Sequence, residues 1–185
     1  MSSDRLWAPW RLDYVTGAES SSTPELPPEP SNWLEGADPK CFLCRAGAEF
    51  ADAGAARRQQ YVVASEGPAL VMLNRYPYNN GHLLVAPRRH AAQLAELTAD
   101  EHLACMNWLA RLTEVFSERI RPDGFNIGLN LGRAAGAGLP RHLHWHLVPR
   151  WSGDTNFMSA LADTRVIPQS LEAMWELLTE ALRRS

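Results

Sequence analysis

Hydrophobic residues form several short runs in the middle of the chain. YVVAS (61–65) and ALVMLN (69–74) are separated by EGP, which predicts a β-hairpin. HLLVAP (82–87), FNIGLNLG (125–132) and HLHWHLV (142–148) predict three further strands. The strands are mostly neighbours along the chain, with one helix among them. We therefore predict an α+β fold, with a five-stranded antiparallel sheet and two main helices, rather than a doubly wound parallel sheet.

Two later stretches have helical spacing. Residues 97–120 begin with Thr98 and Glu101, which fit a capping box. Apolar residues then recur every three or four positions, at Leu103, Met106, Leu109, Leu112 and Phe116. In 170–184 the apolar face consists of Leu171, Met174, Trp175, Leu178 and Leu182. These are the two main helices of the predicted fold.

The N-terminal part of the chain has a different composition. Residues 19–39 are rich in Ser, Pro and acids and bury too little apolar surface to offset the entropy of ordering. The preceding stretch carries Trp7, Trp10 and Tyr14, which predicts an arm that packs on its own domain or on a partner subunit. We divide the chain into an N-terminal arm and loose linker, 1–39, and a main domain, 40–185.

Composition excludes several classes of protein. An apolar content of 45% and a net charge of −3 in 185 residues are ordinary for a globular domain. The charge argues against a bulk nucleic-acid binder, and no apolar run of 18 residues predicts a membrane span. Three cysteines form no even disulfide set, so we expect a reducing, cytoplasmic location.

The segment RHLHWHLV (141–148) places histidines at alternate positions. On a strand, His142, His144 and His146 share one face and the apolar residues between them share the other. Three alternatives arise for this face: an ordinary solvent-facing strand, a catalytic metal site, or a nucleophilic imidazole that attacks phosphorus. The upstream glycine-rich stretch GLNLGRAAGAGLP favours the third, because its backbone N–H groups could hold phosphate oxygens.

At these residues the chain resembles the histidine triad (HIT) family. The segment 142–148 fits the pattern His-φ-His-φ-His-φ-φ, where φ is apolar. The likeness extends through NRYPYNNGHLLVAPRRH (74–90), FNIGLNLG (125–132) and VPRWSGDTNF (148–157). It is similar to the branch that contains bacterial HIT hydrolases and diadenosine tetraphosphate phosphorylases. The resemblance implies a HIT-like fold and a homodimer.

The resemblance also implies roles for particular residues. His144 would attack the α-phosphorus and form a nucleotidyl-histidine intermediate, while His146 and His82 would support the phosphate and the leaving group. Asn74 would hold ribose hydroxyls, and Asn130 with Gly132 would line the phosphate pocket. No catalytic metal is implied.

The chain departs from the family pattern just before the triad. Many relatives carry Gln, Ser or Thr among the last four residues there, whereas this chain has Gly138, Leu139, Pro140 and Arg141. The backbone N–H of Gly138, or the Arg141 side chain, could replace the missing donor. The departure puts the leaving-group preference in doubt rather than the reaction.

Cys41 and Cys44 form a CxxC motif, which zinc sites and redox motifs share. No thioredoxin-like βαβ pattern follows, so we favour a zinc site, with free thiols and a disulfide as alternatives, and the resemblance implies that this site is structural. Resemblance to part of the HIT family and to galactose-phosphate uridylyltransferases implies His90 and His142 as the other two ligands. The chemistry would then fall to His144 and His146.

We therefore expect a nucleotidyl hydrolase or transferase that acts on nucleoside phosphate anhydrides, esters or phosphoramidates. Dinucleoside polyphosphates such as diadenosine tetraphosphate are the favoured substrates, with adenine implied by the family alone. Water and inorganic phosphate remain open as acceptors. The alternatives are a nucleotide-binding regulatory module with little turnover and a metal-dependent hydrolase that uses the histidine strand.

Overall fold

The computed structural model describes residues 29–154 and 167–184. The predicted aromatic arm with Trp7, Trp10 and Tyr14 lies outside these residues. The helices and strands are α1 (Phe42–Ala46), α2 (Ala53–Gln60), β1 (Val62–Glu66), β2 (Ala69–Leu73), β3 (Leu83–Pro87), α3 (Ala99–Arg119), β4 (Gly124–Leu129), β5 (Trp145–Arg150) and α4 (Leu171–Arg184). Among the described helices, none has the length and hydropathy needed to cross a bilayer.

The five strands form one sheet in the order β1-β2-β3-β5-β4, and all neighbours are antiparallel. The predicted hairpin is β1 and β2, and Gly67 in its turn has a φ of +56°. Between β3 and β4 the chain passes through α3, which is one of the two long helices. The structure thus confirms the predicted α+β fold class, with a five-stranded antiparallel sheet and two main helices.

Strands β2 and β3 are continuous apolar runs because both faces of the sheet are covered there. Val71, Leu83 and Val85 pack into the larger cluster, which also holds α3 and α4 side chains. Met72 and Leu84 face the opposite way, into a smaller cluster that includes the CxxC segment. Full burial of a Leu-sized side chain contributes about 1.5–3 kcal/mol, so both layers stabilise the centre of the sheet.

Helix α3 begins at the predicted capping box. The Thr98 hydroxyl accepts a hydrogen bond from the Glu101 N–H at 3.2 Å, and the Glu101 carboxylate accepts one from the Thr98 N–H at 2.8 Å. Arg89 donates two hydrogen bonds to the same carboxylate, each at 2.9 Å, and this guanidinium lowers the pKa of Glu101. Because Glu101 is buried, the network firmly ties the chain after β3 to the start of α3.

The apolar face predicted for α3 is right over its second half and wrong over its first. Leu109, Leu112 and Phe116 are buried, but Leu103 is 59% exposed and Met106 43% exposed. At 100° per residue, Met106 points about 100° and Leu103 about 160° away from the buried Cys105. The core-facing stripe therefore runs through Cys105, and the other two side chains lie outside it.

Helix α4 packs with the predicted face. Met174 and Leu178 are buried in the larger cluster, and the Trp175 indole N–H donates to the Val62 carbonyl at 2.9 Å. Helices α1 and α2 were not predicted. The five residues of α1 are too few for a periodic pattern to emerge, and the alanine-rich α2 buries only Ala56 and Gln60.

Candidate active site

A cavity of about 360 Å³ lies on the sheet face that carries Met72 and Leu84. The residues that line it are Pro39, Lys40, Cys41, Phe42, Arg45, Gln60, Met72, Leu73, Asn74, Arg75, Tyr76, Leu84, Gly136, Gly138, His144 and His146. Lys40, Arg45 and Arg75 are cationic, and no Asp or Glu is among the described lining residues. The charge of the lining therefore suits an anionic ligand.

Strand register gives the cavity a polar end and an apolar end. Met72 on β2 pairs with Leu84 on β3, which pairs with His146 on β5, so the three form one row across the sheet. With strands about 4.8 Å apart, Met72 lies roughly 10 Å from His146. Phe42 and Gln60 line the cavity with Met72. A group bound at the histidines thus has an apolar floor extending away from it.

His144 lies at the polar end and is 8% exposed. Its Nδ1 lies 2.9 Å from the backbone carbonyl of His142, so Nδ1 carries the proton and Nε2 keeps its lone pair. Burial lowers the pKa of His144, which favours the neutral imidazole. The geometry therefore presents a neutral nitrogen nucleophile in a cavity.

The other two candidate catalytic histidines are in contact. His82 Nε2 lies 2.9 Å from His146 Nδ1. The Tyr78 backbone N–H donates to His82 Nδ1 at 3.0 Å, which assigns the His82 proton to Nε2. His82 therefore donates to His146 Nδ1, which leaves Nε2 as the proton-bearing nitrogen of His146. The His144 and His146 ring centroids are 5.0 Å apart, so the two rings are neighbours at the cavity.

Not all of the predicted binding residues line the cavity. Asn74 lines the cavity and its amide lies 3.3 Å from His82 Nδ1. The Asn130 amide nitrogen lies 3.4 Å from His146 Nε2, and a 180° rotation of the amide would bring its oxygen to the proton on that nitrogen. Gly138 lines the cavity together with Gly136, whereas Gly132, with a φ of +78°, is outside the lining.

Arg141 does not replace the donor that is missing before the triad. It is not among the lining residues, and its guanidinium bonds Asp38 at 3.3 Å with 75% of the side chain exposed. Of the two replacements considered from the sequence, only the Gly138 backbone is at the cavity.

The four predicted metal ligands lie together. One ligand atom from each of Cys41, Cys44, His90 and His142 falls within 4.8 Å of the others. His142 Nδ1 is 3.3 Å from the Cys41 sulfur, and His90 Nδ1 is 3.1 Å from the Cys44 sulfur. Such separations are those of ligands around one tetrahedral zinc ion, in which Zn–S is about 2.3 Å and Zn–N about 2.0 Å.

The protonation of the cluster also suits a metal. His142 Nε2 donates to the Pro87 carbonyl at 2.9 Å, which leaves its Nδ1 lone pair directed at the sulfurs. A hydrogen bond from the Cys41 thiol lowers the pKa of the Cys44 thiol to about 4. The same hydrogen bond, with burial, raises the pKa of Cys41. Cys41 and Cys44 are both free, so the lowered pKa of Cys44 gives the cluster one thiolate ligand.

The histidine segment differs from the predicted strand in one respect. Strand β5 begins at Trp145, so His142 and His144 precede it. The Leu143 N–H donates to the Ala91 carbonyl at 2.7 Å, and the His142 side chain contacts the sulfur of Cys41. The predicted alternation still holds, because Leu143, Trp145 and Leu147 pack in the larger cluster. The histidines do not share one open face.

The chain is similar to known proteins of one family. Residues 56–153 match the family model described as HIT domain, which is more than half of the chain. The chain belongs to the HIT family. It is an enzyme of the HIT nucleotide hydrolase or phosphorylase type, and the resemblance inferred from the triad is confirmed.

Individual relatives of this HIT protein cover most of its length. An AP-4-A phosphorylase of Mycobacterium tuberculosis is 37% identical over 174 residues, which is 94% of this chain and 82% of that protein. A hypothetical histidine triad nucleotide-binding protein from Sulfolobus tokodaii has a TM-score of 0.56 at 25% identity, covering 67% of this chain and 84% of that one. A Zn-bound histidine triad family protein from Mycobacterium smegmatis has a TM-score of 0.55 at 26% identity, covering 68% and 85%.

Sequence reasoning missed part of the site of this HIT protein. Tyr78 fixes the His82 tautomer through its backbone, and its ring centroid is 4.5 Å from that of His82. Gly81 has a φ of +72°, and a Cβ there would lie 3.1 Å from Phe116, so the turn before His82 needs glycine. Gln60 and Phe42 line the cavity. RYPYNNG (75–81) is rich in Pro, Asn and Gly, and this turn signal could have marked Tyr78 and Gly81, whereas nothing local marks Gln60 or Phe42.

Proposed function

We propose that this HIT protein transfers a nucleotidyl group from a dinucleoside polyphosphate, through a covalent intermediate on His144, to inorganic phosphate or water. The observation that carries the proposal is the hydrogen bond from His144 Nδ1 to the His142 carbonyl, which leaves Nε2 as the free nucleophile at the cavity. A neutral imidazole brings no negative charge to an anionic phosphate. The cationic lining and the apolar floor suit the phosphate chain and the base, respectively.

The reaction has two displacements at the α-phosphorus. In the first, His144 Nε2 forms a P–N bond as the bond to the bridging oxygen breaks, and the rest of the polyphosphate leaves. In the second, an oxygen of phosphate or water attacks, and the P–N bond breaks. Two successive displacements allow one site to serve either acceptor. The similarity to an AP-4-A phosphorylase favours phosphate.

His146 is proposed to stabilise the departing oxygen in the first displacement by donating a hydrogen bond from Nε2 without giving up the proton. Its Nε2 proton is available to the departing oxygen, and His82 holds the ring by donating to Nδ1. Asn74 is proposed to hold the ribose, because it lies in the lining next to His82. The Gly138 backbone and Asn130 are proposed to hold phosphate oxygens, with Gly132 shaping the loop between them.

Product analysis with diadenosine tetraphosphate tests the proposal. Attack at the α-phosphorus leaves ATP in every case, while the transferred nucleotide becomes ADP with phosphate and AMP with water. We expect ATP plus ADP at millimolar phosphate and ATP plus AMP without it, measured by chromatography. Two ADP molecules formed in phosphate-free buffer would contradict attack at the α-phosphorus, and no product from any dinucleoside polyphosphate would favour the binding module.

The Cys₂His₂ cluster is proposed to hold a structural zinc ion, with Cys41, Cys44, His90 and His142 as ligands. Four protein ligands make a closed tetrahedral site, whose role is to stabilise the fold rather than to activate water. The similarity to a Zn-bound histidine triad protein supports this assignment. The proposal includes a reducing, cytoplasmic setting, because the ligands must remain thiolates. The alternative metallohydrolase has less support, since His142 faces the sulfurs and His144 Nδ1 is occupied by a carbonyl.

A homodimer is also part of the proposal. Leu103 and Met106 are exposed on α3, and Ile127 is 48% exposed on β4, which is at the edge of the described sheet. Exposed apolar side chains of this size on a helix and an edge strand are suited to an interface with a second copy of the chain. The twofold pairing would place an interface helix between the two sheets.

Analytical ultracentrifugation tests the dimer. We expect the wild type to sediment at twice the 20.6 kDa chain mass and the double variant Leu103→Glu/Met106→Glu to sediment as a monomer, because burying two carboxylates in the interface is costly. Ala55→Glu adds a charge to exposed α2 and should leave the dimer intact. A wild-type monomer at micromolar concentration would refute the proposal.

A further inference from the structure

Gln60, the last residue of α2, places an amide group in the apolar end of the cavity. The residue is 6% exposed and lines the cavity with Phe42, Met72 and Leu84. An amide buried against apolar groups is costly unless its polar atoms are hydrogen-bonded. A glutamine in this position therefore calls for a polar partner.

The orientation of the Gln60 amide is determined by α2 itself. Its Nε2 donates to the Ala56 carbonyl at 3.3 Å, so Oε1 points to the other side of the amide. No described residue donates a hydrogen bond to Oε1. This oxygen is also not sealed from solvent, because the only fully enclosed side-chain N or O atoms without a partner in the described chain are Arg45 Nη1 and Arg88 Nε. The open space beside Gln60 is the cavity.

A hydrogen-bond acceptor in this position discriminates between purine bases. With the phosphate at His144 and His146, the base of a nucleotide reaches the apolar end, roughly 10 Å away along the row through Leu84 and Met72. The 6-amino group of adenine donates N–H bonds, whereas the 6-oxo group of hypoxanthine presents a second acceptor. Two facing acceptors leave both unsatisfied.

We propose that Gln60 is the base-selecting residue of this HIT protein and that its Oε1 accepts a hydrogen bond from the exocyclic amino group of adenine. The inference rests on the proposed function in placing a nucleotide in the cavity. It goes further because it assigns the choice of base to one side chain. That side chain belongs neither to the triad nor to the glycine-rich loop, and it is not the proposed ribose-binding residue.

Matched substrates that differ only at position 6 of the purine test the inference. We expect kcat/KM for adenosine 5′-phosphoramidate to exceed that for inosine 5′-phosphoramidate by about tenfold or more in the wild type. In Gln60→Met, which keeps the length of the side chain without its oxygen, the ratio should fall close to one, mainly through loss on the adenosine substrate. Gln59→Met makes the same change one residue earlier, outside the cavity lining, and should keep the wild-type ratio.

Equilibrium dialysis with AMP and IMP separates this inference from the proposed function. An AMP preference that depends on Gln60, in a protein that turns over neither substrate, would uphold base selection while the proposed function fails. If wild type and Gln60→Met turn over the substrates with the same adenosine-to-inosine ratio of kcat/KM, base selection is overturned and the proposed function stands. Base selection is also overturned if the wild type turns over substrate but binds neither AMP nor IMP.

The wild type provides a second test in case Gln60→Met does not fold. Purine riboside 5′-monophosphate lacks the 6-amino group and presents no new acceptor in its place. We expect it to bind about tenfold more weakly than AMP, because the Gln60 oxygen is then left without a donor. Equal affinities for the two nucleotides would overturn the inference.

Discussion

His144→Ala is expected to lower the turnover of diadenosine tetraphosphate by about a thousandfold or more, since it removes the attacking atom. The surrounding lining remains, so the dissociation constant for nucleotide should change far less than kcat. Steady-state kinetics and equilibrium dialysis measure the two effects separately. Brief incubation of the wild type with labelled substrate should also give an acid-labile, base-stable label, and His144→Ala should not be labelled.

His102→Ala is the matched control for this prediction. It also removes an imidazole, but that ring lies on α3 and its Nε2 contacts the Leu94 carbonyl at 3.0 Å, away from the cavity. Its kcat should stay within a fewfold of the wild type. An unchanged rate in His144→Ala, or label on another residue, would rule out the proposed nucleophile.

Loss of the metal cluster is expected to have the largest effect on stability. Cys44→Ala, or removal of zinc with a chelator, should lower the free energy of unfolding by about 3 kcal/mol or more. This loss is well below the ~10–16 kcal/mol with which zinc-finger peptides bind structural zinc. In a domain of this size that loss lowers Tm by about 6–12 °C or more. Activity should fall as well, because the CxxC segment lines the cavity and the His142 carbonyl orients His144.

Cys105→Ala controls for the loss of a buried thiol. Cys105 is buried on α3 in the larger cluster, and burial raises the pKa of its thiol to about 12, so it is a poor metal ligand. This variant should bind one zinc per chain by elemental analysis, as the wild type should, and Cys44→Ala none. A wild type purified under reducing conditions without zinc, with an unchanged Tm on adding the ion, would refute the structural zinc site.

The hydrophobic pattern was sufficient for most of the fold. The runs at β2 and β3 are fully buried strands, and the Thr98–Glu101 box starts α3 as predicted, because these signals act within a few residues. Leu103 and Met106 were assigned wrongly to the core, since spacing alone does not indicate where a buried stripe ends. The boundary between arm and domain near residue 40 stays a prediction, and Pro39 and Lys40 line the cavity.

The site was partly predictable for a similar reason. Period-two histidines are a local pattern, and this pattern alone predicts His144 and His146. The CxxC motif equally marked Cys41 and Cys44. Gln60 carried no such signal, because an amide at the end of a short helix becomes a cavity residue only through the strands beside it.

By itself, the sequence determined the residue chemistry: an imidazole nucleophile with imidazole neighbours, a pair of thiols, and the alternation that buries Leu143, Trp145 and Leu147. Only the tertiary structure brought Cys41 to within 3.3 Å of His142, 101 residues away, and oriented His144 through a carbonyl. It also decided which ring nitrogen of His82 carries the proton. These properties depend on sheet register and on contacts between distant segments, which local periodicity does not encode.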